Sequence, residues 1–243
     1  MPKSTSYLIG AGVAAAAALL GVVSYTATKP ADRSPAVVAE ASARASAGTS
    51  AEPRSGVHPE LEKYARRDAK DPLAVGRADA PVVLIEYADF LCGYCGKFAR
   101  DTEPELIEKY VGEGTLRIEW RNFPIFGEES ERAARAAWAA GQQGRFWQFH
   151  KAAYAEGAKE RGFGKDRVTA LAREAGVADL DRFGRDVDSE AARQAVAKDQ
   201  EQGYELGATS TPSFLVNGRP IAGAQPMETF TAAIDAAKRE AGR

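Results

Sequence analysis

Read for hydrophobic and polar positions, the chain falls into three stretches of different character. From Ser4 to Thr28 no charged residue occurs, and Tyr7 to Val23 (YLIGAGVAAAAALLGVV) is almost wholly apolar. That length lies between a signal-peptide core and a full membrane span. Residues 1–27 are therefore expected to be a signal-anchor or transmembrane segment. The alternative is a cleaved signal, but the small-residue triplets suited to cleavage, Ala41-Ser42-Ala43 and Ala45-Ser46-Ala47, lie far downstream. Residues 28–57 are rich in Ala, Ser, Pro and Gly and lack aromatics. They predict a disordered tether. From His58 onward the pattern becomes that of a folded domain, 58–243.

Within that domain, HPELEKYARRDAK places Leu61, Tyr64 and Ala65 at helical spacing and predicts a short lead-in helix. PVVLIEYADF (Pro81 to Phe90) is β-branched, apolar and too short for a helix, which predicts a buried central strand. A helix over Gly93 to Tyr110 follows, with Phe98, Thr102, Leu106 and Tyr110 on one face and a kink at Pro104. TLRIEWRNFPIF (Thr115 to Phe126) alternates Leu116, Ile118 and Trp120 with Arg117, Glu119 and Arg121, a second strand. Strand, helix and strand in this order make a right-handed βαβ crossover with parallel strands. Several helical segments occupy about 128–206, after which PSFLVNGRPIAGA reads as a hairpin turning at Asn217-Gly218. A closing helix spans roughly Met227 to Ala241. The fold class is α/β: a βαβ half and a ββα half sharing one sheet, with a helical insertion between them.

The net charge of −2 leaves no basic field to hold nucleic acid, so nucleic-acid binding is not expected. The two cysteines carry the candidate chemistry. Cys92 and Cys95 stand in FLCGYCGKF, and C-x-x-C can be half a zinc site, a structural staple or a redox dithiol. Zinc needs four ligands, and the two histidines stand apart, His58 ahead of the domain and His150 among the aromatics of FWQFHKAAY. No metal site is expected. A bridge from i to i+3 closes too small a loop to be a useful staple. Redox chemistry fits the placement: Cys92 falls where a strand ends and a helix begins, where unpaired N–H groups and the helix dipole favour thiolate. Cys92 is then the sulfur that exchanges with clients and Cys95 the one that resolves the mixed disulfide. Gly93 and Tyr94, between them, tune the site without adding positive charge.

Two more positions belong to the candidate site. Pro212, at the entry to the hairpin strand, cannot donate to a sheet ladder. A cis Thr211-Pro212 bond would turn the Thr211 backbone towards the sulfurs as a docking edge for an extended client. Glu86 stands six residues before Cys92, on the same face if the strand runs on regularly. A carboxylate in such an apolar run has a raised pKa and could relay the proton moved in exchange.

Taken together, VVLIEYADF running into CGYC, Pro104, the GRFWQFH insert and TPSFLVNG resemble the DsbA-like branch of the thioredoxin superfamily. The likeness covers roughly Asp71 to the C-terminus. It implies a thioredoxin fold and an extracytoplasmic thiol:disulfide oxidoreductase without a bound cofactor. It also implies a mixed disulfide through Cys92, a buried acid at Glu86 and the cis-proline loop at Thr211-Pro212. The Gly93-Tyr94 dipeptide, and Thr before the proline, are instead similar to disulfide isomerases of the DsbC type. Those carry an N-terminal dimerisation domain, for which the tether here is too polar, so a monomer is expected. The leading expectation is a membrane-tethered enzyme, extracytoplasmic and held by its N-terminal helix, that forms disulfides in unfolded exported proteins. A quinone-linked membrane thiol oxidase would recycle it. The alternatives are a reductase or isomerase of the same fold, or a thioredoxin-fold binding module whose bridge is only structural.

Overall fold

A computed structural model describes Gly56 and residues 58–242. The expected membrane segment (1–27) and nearly all of the tether (28–57) lie outside the described residues. Among the described residues, no helix is long and apolar enough to cross a membrane.

The elements, in chain order, are strand β1 (Ala74–Val75), strand β2 (Val82–Ala88), helix α1 (Gly93–Asp101), helix α2 (Glu103–Leu106) and strand β3 (Leu116–Asn122). Five helices follow: α3 (Glu128–Gly141), α4 (Phe146–Ala153), α5 (Lys165–Glu174), α6 (Leu180–Val187) and α7 (Glu190–Glu205). Strands β4 (Ser213–Val216) and β5 (Arg219–Ala222) and helix α8 (Met227–Ala241) close the chain. The five strands form one sheet in the order β1-β3-β2-β4-β5. β2 lies parallel to β3, pairing Val82 with Leu116 through to Ala88 with Asn122, and antiparallel to β4. The βαβ and ββα halves thus meet at β2, whose seven residues are all buried.

One sheet face, through Val82, Leu84, Leu116 and Ile118, packs on Phe98, Leu106, Phe230 and Ile234 of the flanking helices. At its β2 end this face continues through Ala88 and Trp120 into the helical layer of α3 to α6, where Phe146, Phe149 and Phe183 are buried. The opposite face, through Val83, Ile85, Tyr87 and Leu215, is covered by Leu61, Tyr64 and Leu206.

Two expectations need correction, while the short lead-in helix is present as a 3₁₀ stretch (Pro59–Tyr64). The backbone N–H groups of Arg66 and Arg67 both donate to the Glu119 carboxylate at 2.8 Å, and Arg67 takes a left-handed φ of 48°. Those bonds pull the chain out of the helix. The helix expected from Gly93 to Tyr110 is broken at Thr102, and after Leu106 it passes into a π-helical turn (Ile107–Val111). Pro104 supplies no N–H and its ring crowds the preceding turn, so the helix divides instead of only bending. The second strand stops at Asn122, short of Phe126. The N–H groups of Ile125 and Phe126 turn away to the Asp89 carboxylate at 2.7 and 3.2 Å. Edge strand β1, two residues long, carries too little pattern to be read from the sequence.

The hairpin turn is made by Asn217 and Gly218, both at positive φ (42° and 75°). Here glycine is required twice over, because a Cβ on Gly218 would sit 2.3 Å from the His58 carbonyl oxygen. Asn217 also ties the hairpin to β2, accepting from the Val83 N–H at 2.8 Å and donating to the Pro81 carbonyl at 3.0 Å.

Candidate active site

Strand β2 ends at Ala88, and a turn through Asp89 to Leu91 delivers Cys92 to the N-cap of α1. That turn is held from several sides. The Asp89 carboxylate accepts from Leu91 N–H at 2.8 Å and from the Ser130 hydroxyl at 2.6 Å. The Asp89 carbonyl accepts from the Cys92 N–H at 3.0 Å and the Tyr154 hydroxyl at 2.9 Å. Because of the turn, strand alternation does not run on from Glu86 to Cys92. Glu86 reaches the cysteine side of the sheet by sharing the face of Leu84 and Ala88.

Both cysteines are free thiols. Cys92 Sγ accepts from the Cys95 N–H at 3.4 Å, and its thiol donates to the Thr211 carbonyl at 3.2 Å. The Cys92 pKa falls to about 6, chiefly through a hydrogen bond from Cys95. Burial opposes this, and Thr211 and the Cys95 and Tyr94 backbone bonds reinforce it. A thiol at the first turn of a helix meets N–H groups that have no partner of their own, which is why the sulfur is the cap. Cys95 behaves oppositely: wholly buried, its thiol is pushed well up by burial and then by the neighbouring Cys92. The pair is therefore asymmetric, one sulfur ionised at neutral pH and the other protonated. Cys92 is only 5% exposed, opening on a cavity of ≈150 Å³ bounded by Gly93, Tyr154 and Lys159.

The Thr211-Pro212 peptide is cis, and Thr211 lies across the mouth of the site with its carbonyl on Cys92. Tyr94 is 70% exposed, an unburied aromatic beside the dithiol. Gly93 has Lys159 Nζ 3.4 Å from where its Cβ would lie. Lys159 belongs to the helical layer, and no spacing in the sequence ties it to residue 93. Glu86 is fully buried, and neither carboxylate oxygen has a hydrogen-bond partner among the described residues. Its pKa is raised well above the ordinary range, first by burial, then by Glu103 and Cys92. Glu103 and His150 were not read as site residues from the sequence. Both are buried, with His150 Nδ1 3.6 Å from Glu103 Oε2. The acidic residue beside Pro104, seven positions after the buried Gly96 and so on its helical stripe, was the available signal.

A parallel-cored sheet with a C-x-x-C at the cap of its first helix, and a cis proline facing it, defines a thioredoxin-fold dithiol protein. The comparisons agree. Residues 68–236 match the family described as thioredoxin, and the chain belongs to that family. Its fold resembles the crystal structure of α-DsbA1 from Wolbachia pipientis, with a TM-score of 0.60 at 25% identity, covering 70% of this chain and 92% of that one. Among curated relatives it is 30% identical over 150 residues to the probable disulfide bond formation protein D of Bacillus cereus, 60% of this chain and 69% of that protein. It is also 34% identical over 161 residues to the Na(+)/H(+) antiporter NhaA 3 of Salinispora tropica. That match takes in 65% of this chain but only 24% of the antiporter, so the chain spans about a quarter of that relative's length.

Proposed function

We propose that the protein is an extracytoplasmic thiol:disulfide oxidoreductase that forms disulfides in exported proteins through Cys92 and Cys95. The observation that carries this reading is the asymmetry of the two sulfurs, an acidic thiol capping α1 and a buried thiol one turn behind it. In the oxidised enzyme a client thiolate attacks Cys92, the Cys92–Cys95 bond breaks and Cys95 leaves. A second client thiolate then attacks the client sulfur of the mixed disulfide. The client disulfide forms, and Cys92 departs as the thiolate its surroundings stabilise. Two electrons pass from client to enzyme, sulfur to sulfur, so no bound cofactor takes part.

In this reading Thr211 and Pro212 form the docking edge for an extended client, Gly93 and Tyr94 tune the dithiol, and Glu86 relays the proton of Cys95. The kinship with a disulfide bond formation protein and with α-DsbA1 supports the direction of exchange. The finer assignments are part of the same proposal: a domain at 58–243, held at the cell membrane by residues 1–27 through the tether 28–57, acting as a monomer. A quinone-linked membrane thiol oxidase returns it to the disulfide state. The Gly93-Tyr94 dipeptide favours a second reading, an isomerase that reshuffles wrong disulfides.

The test is to incubate oxidised protein with a reduced, disulfide-dependent client and, separately, reduced protein with a scrambled one. An oxidase restores client activity in the first assay at a rate abolished by Cys92→Ser. Activity confined to the second assay establishes the isomerase instead. Cys92→Ser without effect in either would leave a binding module.

A further inference from the structure

Cys95 and Glu86 have no exposure to solvent at all. In the exchange proposed above, Cys95 must take up a proton each time it leaves the disulfide and give it up on reoxidation. Among the described residues, the opening lined by Cys92 is the small cavity beside it. A client held in mixed disulfide with Cys92 stands across that opening. A buried acid that serves Cys95 needs to be recharged through another opening.

Further along the same stripe of α1, beyond Arg100 and Tyr154, which border both openings, lies a groove of ≈870 Å³, walled by Ala99, Ile107 and Trp147, and Glu103 and His150 line it. Glu103 Oε1 and His150 Nε2 are buried and have no hydrogen-bond partner among the described residues, while Glu103 Oε2 and His150 Nδ1 are 3.6 Å apart. Glu86, absent from the groove wall, projects from β2 into the interior that α1 and α2 cover.

We propose that Glu103, supported by His150, is a positioning residue that passes protons between the groove and Glu86, so that Cys95 exchanges its proton through the groove and not through the opening at Cys92. The inference rests on the reading of Cys92 and Cys95 as an exchanging pair. Each step balances. When the client thiolate breaks the Cys92–Cys95 bond, Cys95 takes a proton from Glu86, Glu86 takes one from Glu103, and Glu103 takes one from water in the groove. Reoxidation runs the same path outward.

Electrostatics agree with the geometry. Two carboxyls sharing a dry interior cannot both be ionised, so the pair retains a proton at neutral pH. Burial pushes Glu103 up to about 8, and Glu86 is raised by burial and by Glu103. Burial pulls His150 down to about 3, leaving a neutral imidazole that can accept at one nitrogen and donate at the other. The other groups facing the pair are Cys92 and Cys95 of α1 and, at the end of α4, the Tyr154 hydroxyl, which is bonded to the Asp89 carbonyl. At the groove, Arg100 is occupied with the Tyr154 carbonyl at 2.8 Å.

The experiment is stopped-flow reduction of the oxidised protein by dithiothreitol between pH 5 and 9, in H₂O and D₂O. Glu103→Gln should slow reduction about tenfold or more at pH 7, as loss of a proton-transfer group does, and remove the solvent isotope effect of the parent. Glu103→Asp should restore part of the rate, and Glu108→Gln, which removes an exposed carboxylate from the same groove, should match the parent. Glu103→Gln reacting with the parent's rate and pH profile overturns the proposal. Should that variant not fold, ¹³C-carboxyl NMR of the unsubstituted protein decides. Glu86 and Glu103 titrating in two linked steps above the ordinary carboxyl range support the relay, and both titrating normally near about 4.3 overturn it. A parent protein whose disulfide exchanges with no thiol would instead remove the oxidoreductase reading beneath it, a result distinct from either.

Discussion

Cys92 draws its acidity from a hydrogen bond to its partner and from helix N–H groups, with no positive charge supplied by Gly93 or Tyr94. Its effect on stability follows from the sign of that shift. The thiol's pKa is depressed from about 8.5 in an unfolded chain to about 6. The reduced protein therefore holds this contribution in full above pH 8.5 and loses it as pH falls through 6. At pH 7, one unit above the folded value, roughly 1.4 kcal/mol remains. Thiolate absorbance near 240 nm should titrate with a midpoint near 6, and reduced protein should lose about 2 kcal/mol of stability in urea between pH 8 and 6. A midpoint near 8.5 would show that the cap does not act on the sulfur.

At the scale of elements, β3 holds the largest departure from simple patterning. Its charged positions are not a solvated face: Arg117, Glu119 and Arg121 are all buried. Glu119 takes Arg117 Nε and Arg121 Nη2 at 2.8 Å each, besides the two backbone N–H groups from the lead-in segment. Burial raises the Glu119 pKa, but the hydrogen bond from Arg117 and the charge of Arg121 outweigh it and bring the value to about 2. The cluster thus joins β3 to residues 66–67. Glu119→Leu should cost about 3–5 kcal/mol in urea unfolding, because it leaves two guanidinium groups buried without their partner. The depressed pKa places this contribution in full above the unfolded carboxyl value of about 4.3 and loses it as pH falls towards 2. Acid unfolding of the parent should therefore steepen below pH 4, and that steepening should be absent in Glu119→Leu.

For the molecule as a whole, the quantity that decides its role is the reduction potential. Whatever stabilises the Cys92 thiolate stabilises the dithiol state and makes the disulfide a stronger oxidant, by about 30 mV for each 1.4 kcal/mol. The cap pushes that way. The carboxyls of Glu86 and Glu103, when ionised, oppose it, and their burial keeps that opposition small at neutral pH. The potential should fall on the order of −130 to −220 mV, with the reduced protein more resistant to denaturant than the oxidised one. Equilibration against glutathione measures it. A value near about −270 mV would make the protein a reductase.

Local chemistry sufficed for the sulfur pair, the buried strand β2 and the hairpin turn. A C-x-x-C after an apolar run needs no distant contact to be recognised, and Asn-Gly between two apolar runs is a turn on its own backbone preferences. The end of β3 at Asn122, the burial of the Arg117–Glu119–Arg121 cluster and the short edge strand β1 were decided by tertiary structure. Each depends on which groups from remote segments satisfy a backbone N–H or a charge. The same holds for His150 and Lys159, which reach Glu103 and Gly93 only when the helical layer closes on α1 and α2. Sequence spacing carries the period of a strand or helix; the partners that make a buried polar group tolerable come from anywhere in the chain.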